Sequence, residues 1–212
     1  MKKASRITAI LLALVLVLTL CAFASGEASG GASGETTEVA PKTPGETPAE
    51  VIMAAMACRN FSDVALTQEQ VDEILAAGAN APSAFNGEPW KFIVVENTEK
   101  KIGLISDDVA TCIIVAVPVA DYGMGANSQF AAGLAAESMY LYAQAAGLAA
   151  NMYVAPCDMF INVSDESKAE YGISPDYEAA IILGIGNYAD EVDAFASASA
   201  RTDVKEFVTV LE

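Results

Sequence analysis

Between Ala81 and Trp90 the chain reads Ala-Pro-Ser-Ala-Phe-Asn-Gly-Glu-Pro-Trp. Ahead of this run lies Gln70 to Ala77, with the spacing of an amphipathic helix. Behind it lies Trp90-Lys91-Phe92-Ile93-Val94-Val95, which reads as a strand. A helix, a polar loop and an apolar strand in one short stretch is where α/β proteins place ligand-contacting groups. Proline, serine and asparagine are also ordinary turn residues, so a purely loop-stabilising role stays open for Ser83 and Asn86.

The chain contains no histidine. That removes a Ser-His-Asp triad, a Cys-His pair, a histidine-ligated zinc and a histidine general base. A cofactor that carries the chemistry itself becomes the attractive alternative. The four cysteines, Cys21, Cys58, Cys112 and Cys157, show no CxxC spacing, and Cys112 sits in the apolar run Thr111-Cys112-Ile113-Ile114-Val115. Cys112 reads as a small core residue, and with Cys21 removed or lipidated the odd count of three argues against a disulfide framework. Acidic residues number 28 against 11 basic ones, a net charge of −17. No basic run follows the first six residues, which argues against nucleic acid or a basic membrane-binding face and for a soluble, acidic surface.

The N-terminus has Lys2, Lys3 and Arg6, then an apolar run from Ile7 to Phe23 and Ala22-Phe23-Ala24. This is the pattern of a secretory signal peptide, residues 1–24, and implies export to the extracytoplasmic side. Leu18-Thr19-Leu20-Cys21 offers a second route, lipid attachment at Cys21, and with it the one membrane contact expected of the chain. Residues 25–50 are Gly, Ser, Thr, Pro and Glu with almost nothing apolar, the composition of a flexible tether. Residues 51–212 remain for a single domain, and 53% hydrophobic content suits a packed body.

Several elements can be placed in that body. Val51–Ala57 has helical spacing, and Thr67-Gln68-Glu69-Gln70 is a capping box that starts a helix with the stripe Val71, Ile74, Leu75 and Gly78. Strands are expected at 90–95 and at 112–119, the second apolar on both faces and therefore central. A long helix over 126–146 is rich in alanine and ends at Gly147. It reads as a core helix, with a dimer-interface helix as the alternative, since small side chains allow close approach. A short strand over 151–154, a helix over 165–171 capped by Ser164, a buried strand over 177–185 and a final strand over 207–211 complete the reading. Residues 189–200 read as a loop or arm. The mixture without regular βαβ alternation indicates an α+β fold.

These segments together resemble the nitroreductase family of flavin enzymes. Its Ala-Pro-Ser-x-x-Asn-x-Gln-Pro-Trp loop matches Ala81, Pro82, Ser83, Asn86, Pro89 and Trp90, with Glu88 in place of Gln. Ala131–Met139 through Leu148 is similar to its central helix, Leu183–Tyr188 to its Leu-Gly-Tyr-Pro strand end, and Arg201–Val208 to its closing arm. The resemblance implies a three-layer α/β/α sandwich with a mainly antiparallel central sheet, and a homodimer with FMN in the subunit interface. It makes Arg59, Ser83, Asn86, Glu88 and Arg201 the cofactor-binding set. Arg59 and Arg201 would pair with the phosphate, although a surface salt bridge is an equal reading of either. Ser83 and Asn86 would touch the ribityl chain or flavin edge. Glu88 would lower the flavin potential, or else turn outward to Lys91.

The family's phosphate-binding segment Arg-x-Ser-x-Arg-x-Phe aligns with Ala55 to Phe61, and only Arg59 and Phe61 match. Loss of one charged and one neutral hydrogen bond would weaken FMN by roughly two decades. The connection between Glu96 and Thr111 is shorter than in most relatives, which implies a more open flavin face. The implied reaction passes two electrons from a reduced donor through FMN to a nitroarene, quinone or similar acceptor. Export sets a reduced nicotinamide donor in question. The alternative is a non-catalytic flavin- or small-molecule-binding protein on the same fold.

Overall fold

The computed structural model describes residues 47–96, 102–105, 108–109, 111–119, 127–189 and 202–211. The expected signal peptide, Cys21, the expected tether up to residue 46, most of the expected 189–200 arm and Arg201 lie outside the described residues.

Four strands form one sheet: β1 (Lys91–Glu96), β2 (Thr111–Pro118), β3 (Ala149–Tyr153) and β4 (Tyr177–Gly186). Their order is β1-β2-β4-β3, and each neighbouring pair is antiparallel. β2 is buried from Thr111 through Val117, as its two apolar faces require. Ile113, Val115 and Val117 pack with Ile74, Met139 and Leu183. Cys112, Ile114 and Ala116 face the other way, among Phe61, Val109, Cys157 and Ile161. The first face is covered by α2 (Gln68–Ala79) and α3 (Asn127–Ala145). The second is covered by a π-helical turn, Cys157–Ile161, which leads into α4 (Asp165–Glu170). The result is the expected α+β arrangement with helical layers on both sides of an antiparallel sheet.

Local chemistry fixes the joins. Thr67 accepts from Gln70 N–H while the Gln70 side chain accepts from Thr67 N–H, a reciprocal cap that starts α2. Gly78 lets α2 sit against α3, because a Cβ there would meet Met139 Cγ at 2.7 Å and Phe92 Cζ at 3.2 Å. The alanines 131, 132, 135, 136 and 143 are all buried inside this chain, which settles the small-residue face of α3 as core. Between Val115 and Ala116 the β2–β4 register shifts. Asn162 docks there: its Nδ2 donates to Ala179 O at 2.8 Å, and Ala179 N–H donates to its Oδ1 at 2.9 Å. Lys168 is buried with its ammonium shared among Asp165, Pro175 O and Tyr177 O.

Two expectations need correction. The first helix, α1, is Pro48–Ala54 rather than 51–57; Thr47 and Glu50 cap it reciprocally. It stops because Met56 gives its backbone groups to Gln144: Met56 N–H donates to Gln144 Oε1 at 3.3 Å, and Gln144 Nε2 donates to Met56 O at 2.8 Å. The expected final strand over 207–211 does not form. Val204–Phe207 is a 3₁₀ turn capped by Asp203, and Phe207, Val208, Val210 and Leu211 are exposed. A β-favouring sequence makes no ladder unless an edge lies beside it, and none of the described strands pairs with this segment.

Cys58, Cys112 and Cys157 are free and buried. Burial pushes the Cys112 and Cys157 thiols, and the Tyr188 phenol, up to about 12. The unfolded chain therefore releases these protons at lower pH than the folded one. Stability is complete below pH 9 and falls as pH rises from there toward 12. At pH 11 each of the two thiols should cost about 2 kcal/mol. Urea unfolding between pH 8 and 11 should show this fall, and a Cys112→Ser, Cys157→Ser variant should show a shallower one.

Candidate functional site

The loop that follows α2 is held by its own side chains. Ala84–Asn86 makes one 3₁₀ turn. Phe85, Asn86 and Glu88 lie in the left-handed region at φ 56°, 55° and 44°, while the intervening Gly87 has φ −77°. A left-handed conformation costs an L-residue about 1 kcal/mol or more, with asparagine the most tolerant. Glu88 N–H donates to Ser83 Oγ at 3.0 Å, and Asn86 Nδ2 donates to Glu88 Oε1 at 3.3 Å. Ser83 thus keeps its hydroxyl proton to donate, and Asn86 keeps its Oδ1 to accept. The predicted Glu88–Lys91 pair is not made. Lys91 starts β1 and places its ammonium 3.6 Å from the centre of the Tyr177 ring on β4, where the aromatic face attracts it.

Pro82, Ser83 and Ala84 form one wall of an open cleft of about 140 Å³, and Asn127, Phe130, Ala131 and Leu134 of α3 form the other. Ligand pockets run from roughly 300 to 1,000 Å³, so the cleft is smaller than a usual ligand pocket. Phe85 stands at the loop tip, 88% exposed, and Phe130 is 71% exposed.

Arg59 occupies a different place. Its segment leaves α1 at Ala54, is pinned by the Met56–Gln144 pair, and is tied to β3 by Cys58 N–H donating to Ala150 O at 2.9 Å. It then bridges from Phe61 to Tyr188 beyond the end of β4. Arg59 itself is exposed and lies close enough to Tyr153 to counter part of the upward shift that burial gives that phenol. Gln144 is near the C-terminal end of α3, whereas Ser83 meets residues 127–134 at its start. Along the helix axis this separates the two groups by about 20 Å. Ser83, Asn86 and Glu88 are brought together; Arg59 is not brought to them within one chain. Ala55 and Ala57 flank Met56 with no polar group toward Arg59. The described part of the 97–110 connection sends Ile102, Ile105 and Val109 into the core.

Sequence reading missed the α3 wall. Phe130 and Leu134 are one helical turn apart and apolar on the face opposite the alanine stripe, a signal that periodicity alone could have carried. The left-handed backbone at Glu88 and the Gln144 clamp have no local signature.

Residues 52–124 match the model of the Nitroreductase family. YdgI of Bacillus subtilis, which carries the name NAD(P)H nitroreductase, is 34% identical over 53 residues, 24% of this chain and 25% of its own. The match spans about a quarter of the length of the curated relatives. Among solved structures, a Desulfovibrio desulfuricans protein described as a nitroreductase in complex with FMN superposes with a TM-score of 0.67 at 21% identity, over 79% of this chain and 98% of that one. The Bacteroides fragilis nitroreductase with bound FMN gives 0.62 at 18% identity, over 79% and 100%. The fold is therefore the nitroreductase fold.

The Gln144 amide is what holds the Arg59 segment. Gln144→Ala leaves both Met56 backbone groups without their partner, which should cost about 2 kcal/mol. The urea midpoint should fall accordingly, and amide exchange should accelerate first at Met56 and Cys58. An unchanged midpoint would show that water replaces the clamp.

Proposed function

We propose that this chain, a nitroreductase by fold and by its 52–124 segment, is an FMN-dependent oxidoreductase that passes electrons from a reduced donor to a small aromatic acceptor such as a nitroarene or quinone. The observation that carries this is the 81–90 loop, which turns a hydroxyl donor, Ser83, toward an apolar wall made by Phe130 and Leu134. A flat ring with oxygen acceptors at its edge fits that pairing of an apolar face with a donor. FMN, when bound, supplies two-electron chemistry that needs no histidine.

The residues present fit FMN as halves of a site. Arg59 offers an exposed guanidinium of the kind that forks onto phosphate, and Ser83 and Asn86 offer the ring-end contacts, at opposite ends of α3. A second copy would bring its loop to the first copy's arginine, so we read the protein as a homodimer. The exposed Phe130, Leu134 and Phe207–Leu211 give such a dimer apolar surface to cover. Arg201 would join Arg59 at the phosphate. The role of this chain's residues is to bind, orient and exclude water around the cofactor. From its N-terminal sequence we place the protein outside the cytoplasm, with signal cleavage after Ala24 or a lipid on Cys21. We infer that its physiological donor is not NAD(P)H; rapid anaerobic bleaching of bound flavin by NADH would count against that.

Ala55 and Ala57 favour a second reading, a binding protein without turnover. The absorbance spectrum of the mature protein, with and without added FMN, separates the readings. A flavin spectrum co-eluting with a dimer, followed by turnover of menadione, is the expected result. Flavin without turnover supports the second reading, and a colourless protein at excess FMN overturns the enzyme reading. In the loaded protein, Arg59→Ala should weaken FMN at least about tenfold through loss of a charged hydrogen bond, with dimerisation unchanged by gel filtration.

A further inference from the structure

The cleft walls carry no charge. Pro82, Ser83 and Ala84 face Asn127, Phe130, Ala131 and Leu134, and Glu88 is the one charged residue in the loop 81–90. Its backbone N–H is bonded to Ser83 Oγ at 3.0 Å, so the residue is tied directly to the polar group of the cleft. Its exposed carboxylate accepts a hydrogen bond from Asn86 Nδ2 at 3.3 Å. The nearest cation in sequence, Lys91, is engaged elsewhere, over the Tyr177 ring and beside Asp176, whose carboxyl it helps to hold below the usual range. Asn86 neutralises none of the charge, since an amide donates a hydrogen bond and no counter-charge. A left-handed φ of 44° maintains this placement against backbone preference.

We propose that Glu88 sets the charge selectivity of the cleft: uncharged aromatic ligands are favoured over ligands bearing a carboxylate or phosphate at the ring end. The idea rests on the oxidoreductase reading for its biological meaning, not for its physics. A fixed anion acts over a Debye length of about 10 Å in ordinary buffer, which reaches across an opening of this size. For an exposed group the discrimination is modest, about three- to tenfold.

The single tryptophan, Trp90, lies two residues from Glu88 and provides the readout. Its emission is followed in the mature protein, as isolated and after FMN addition, during titration with 4-nitrobenzamide and with 4-nitrobenzoate. The same titrations are run on Glu88→Gln and at 0.5 M salt. The wild type should bind the amide three- to tenfold more tightly than the carboxylate. The ratio should fall to near one in Glu88→Gln and at high salt, with an unchanged melting temperature. A ratio that is the same in both proteins, or binding of neither probe, overturns the proposal. FMN that leaves Trp90 emission unchanged in both proteins overturns the cofactor reading instead, and the charge ratio is still read on the same samples.

Discussion

β2 has no side that faces water. Thr111 to Val117 are buried on both faces of the sheet, so the chain must supply a layer above and a layer below before that strand is stable. The upper layer is regular: α2 and α3 present Ile74, Ala132, Ala136 and Met139 to Ile113, Val115 and Val117. The lower layer is improvised from a π-helical turn, the side chains of Ile102, Ile105 and Val109, and the Phe61 segment. Each apolar side chain so buried contributes about 1.5–3 kcal/mol, and the polar groups of the improvised layer are satisfied individually by Asn162, Lys168 and Ser164. A sheet enclosed in this way can accept ligands only at its ends, where loops emerge.

The two ends are different in kind. At the start of α3 the 81–90 loop and an apolar helix face make a shallow, uncharged cleft beside one carboxylate. At the other end a clamped segment lifts Arg59 into solvent beside Tyr153. A 19-residue helix acts as the spacer, and its length of about 28 Å keeps an anion-attracting end apart from an anion-repelling one. Function on this fold depends on what the ends carry, and here they carry Ala55, Ala57 and Arg59 at one end and Glu88 at the other.

Much of this was legible beforehand from particular residues. Thr67 and Gln70 announced α2, Gly147 announced the end of α3, and the unbroken run 112–117 announced a central strand. The Ala81–Trp90 run lies, as its wording suggested, between a helix and a strand. Other features depended on groups far apart in sequence. Gln144 ends α1 from 88 positions away, and no window around Ala54 contains that information. Phe207–Leu211 has strand composition and no strand neighbour. Lys91 had two candidate partners, Glu88 and the Tyr177 ring, and only the β1–β2–β4 register brings the second within reach.

The sequence by itself determined the elements, the fold class and the residues available for chemistry, because caps, periodicity and the absence of histidine are local or compositional facts. The tertiary structure decided which of those residues share a site. Ser83, Asn86 and Glu88 converge because one short loop closes on itself through two hydrogen bonds. Arg59 stands apart because α3 is rigid and the chain crosses its full length between them. Convergence depends on distances between segments, and distance in space is set by packing across the sheet, not by order along the chain.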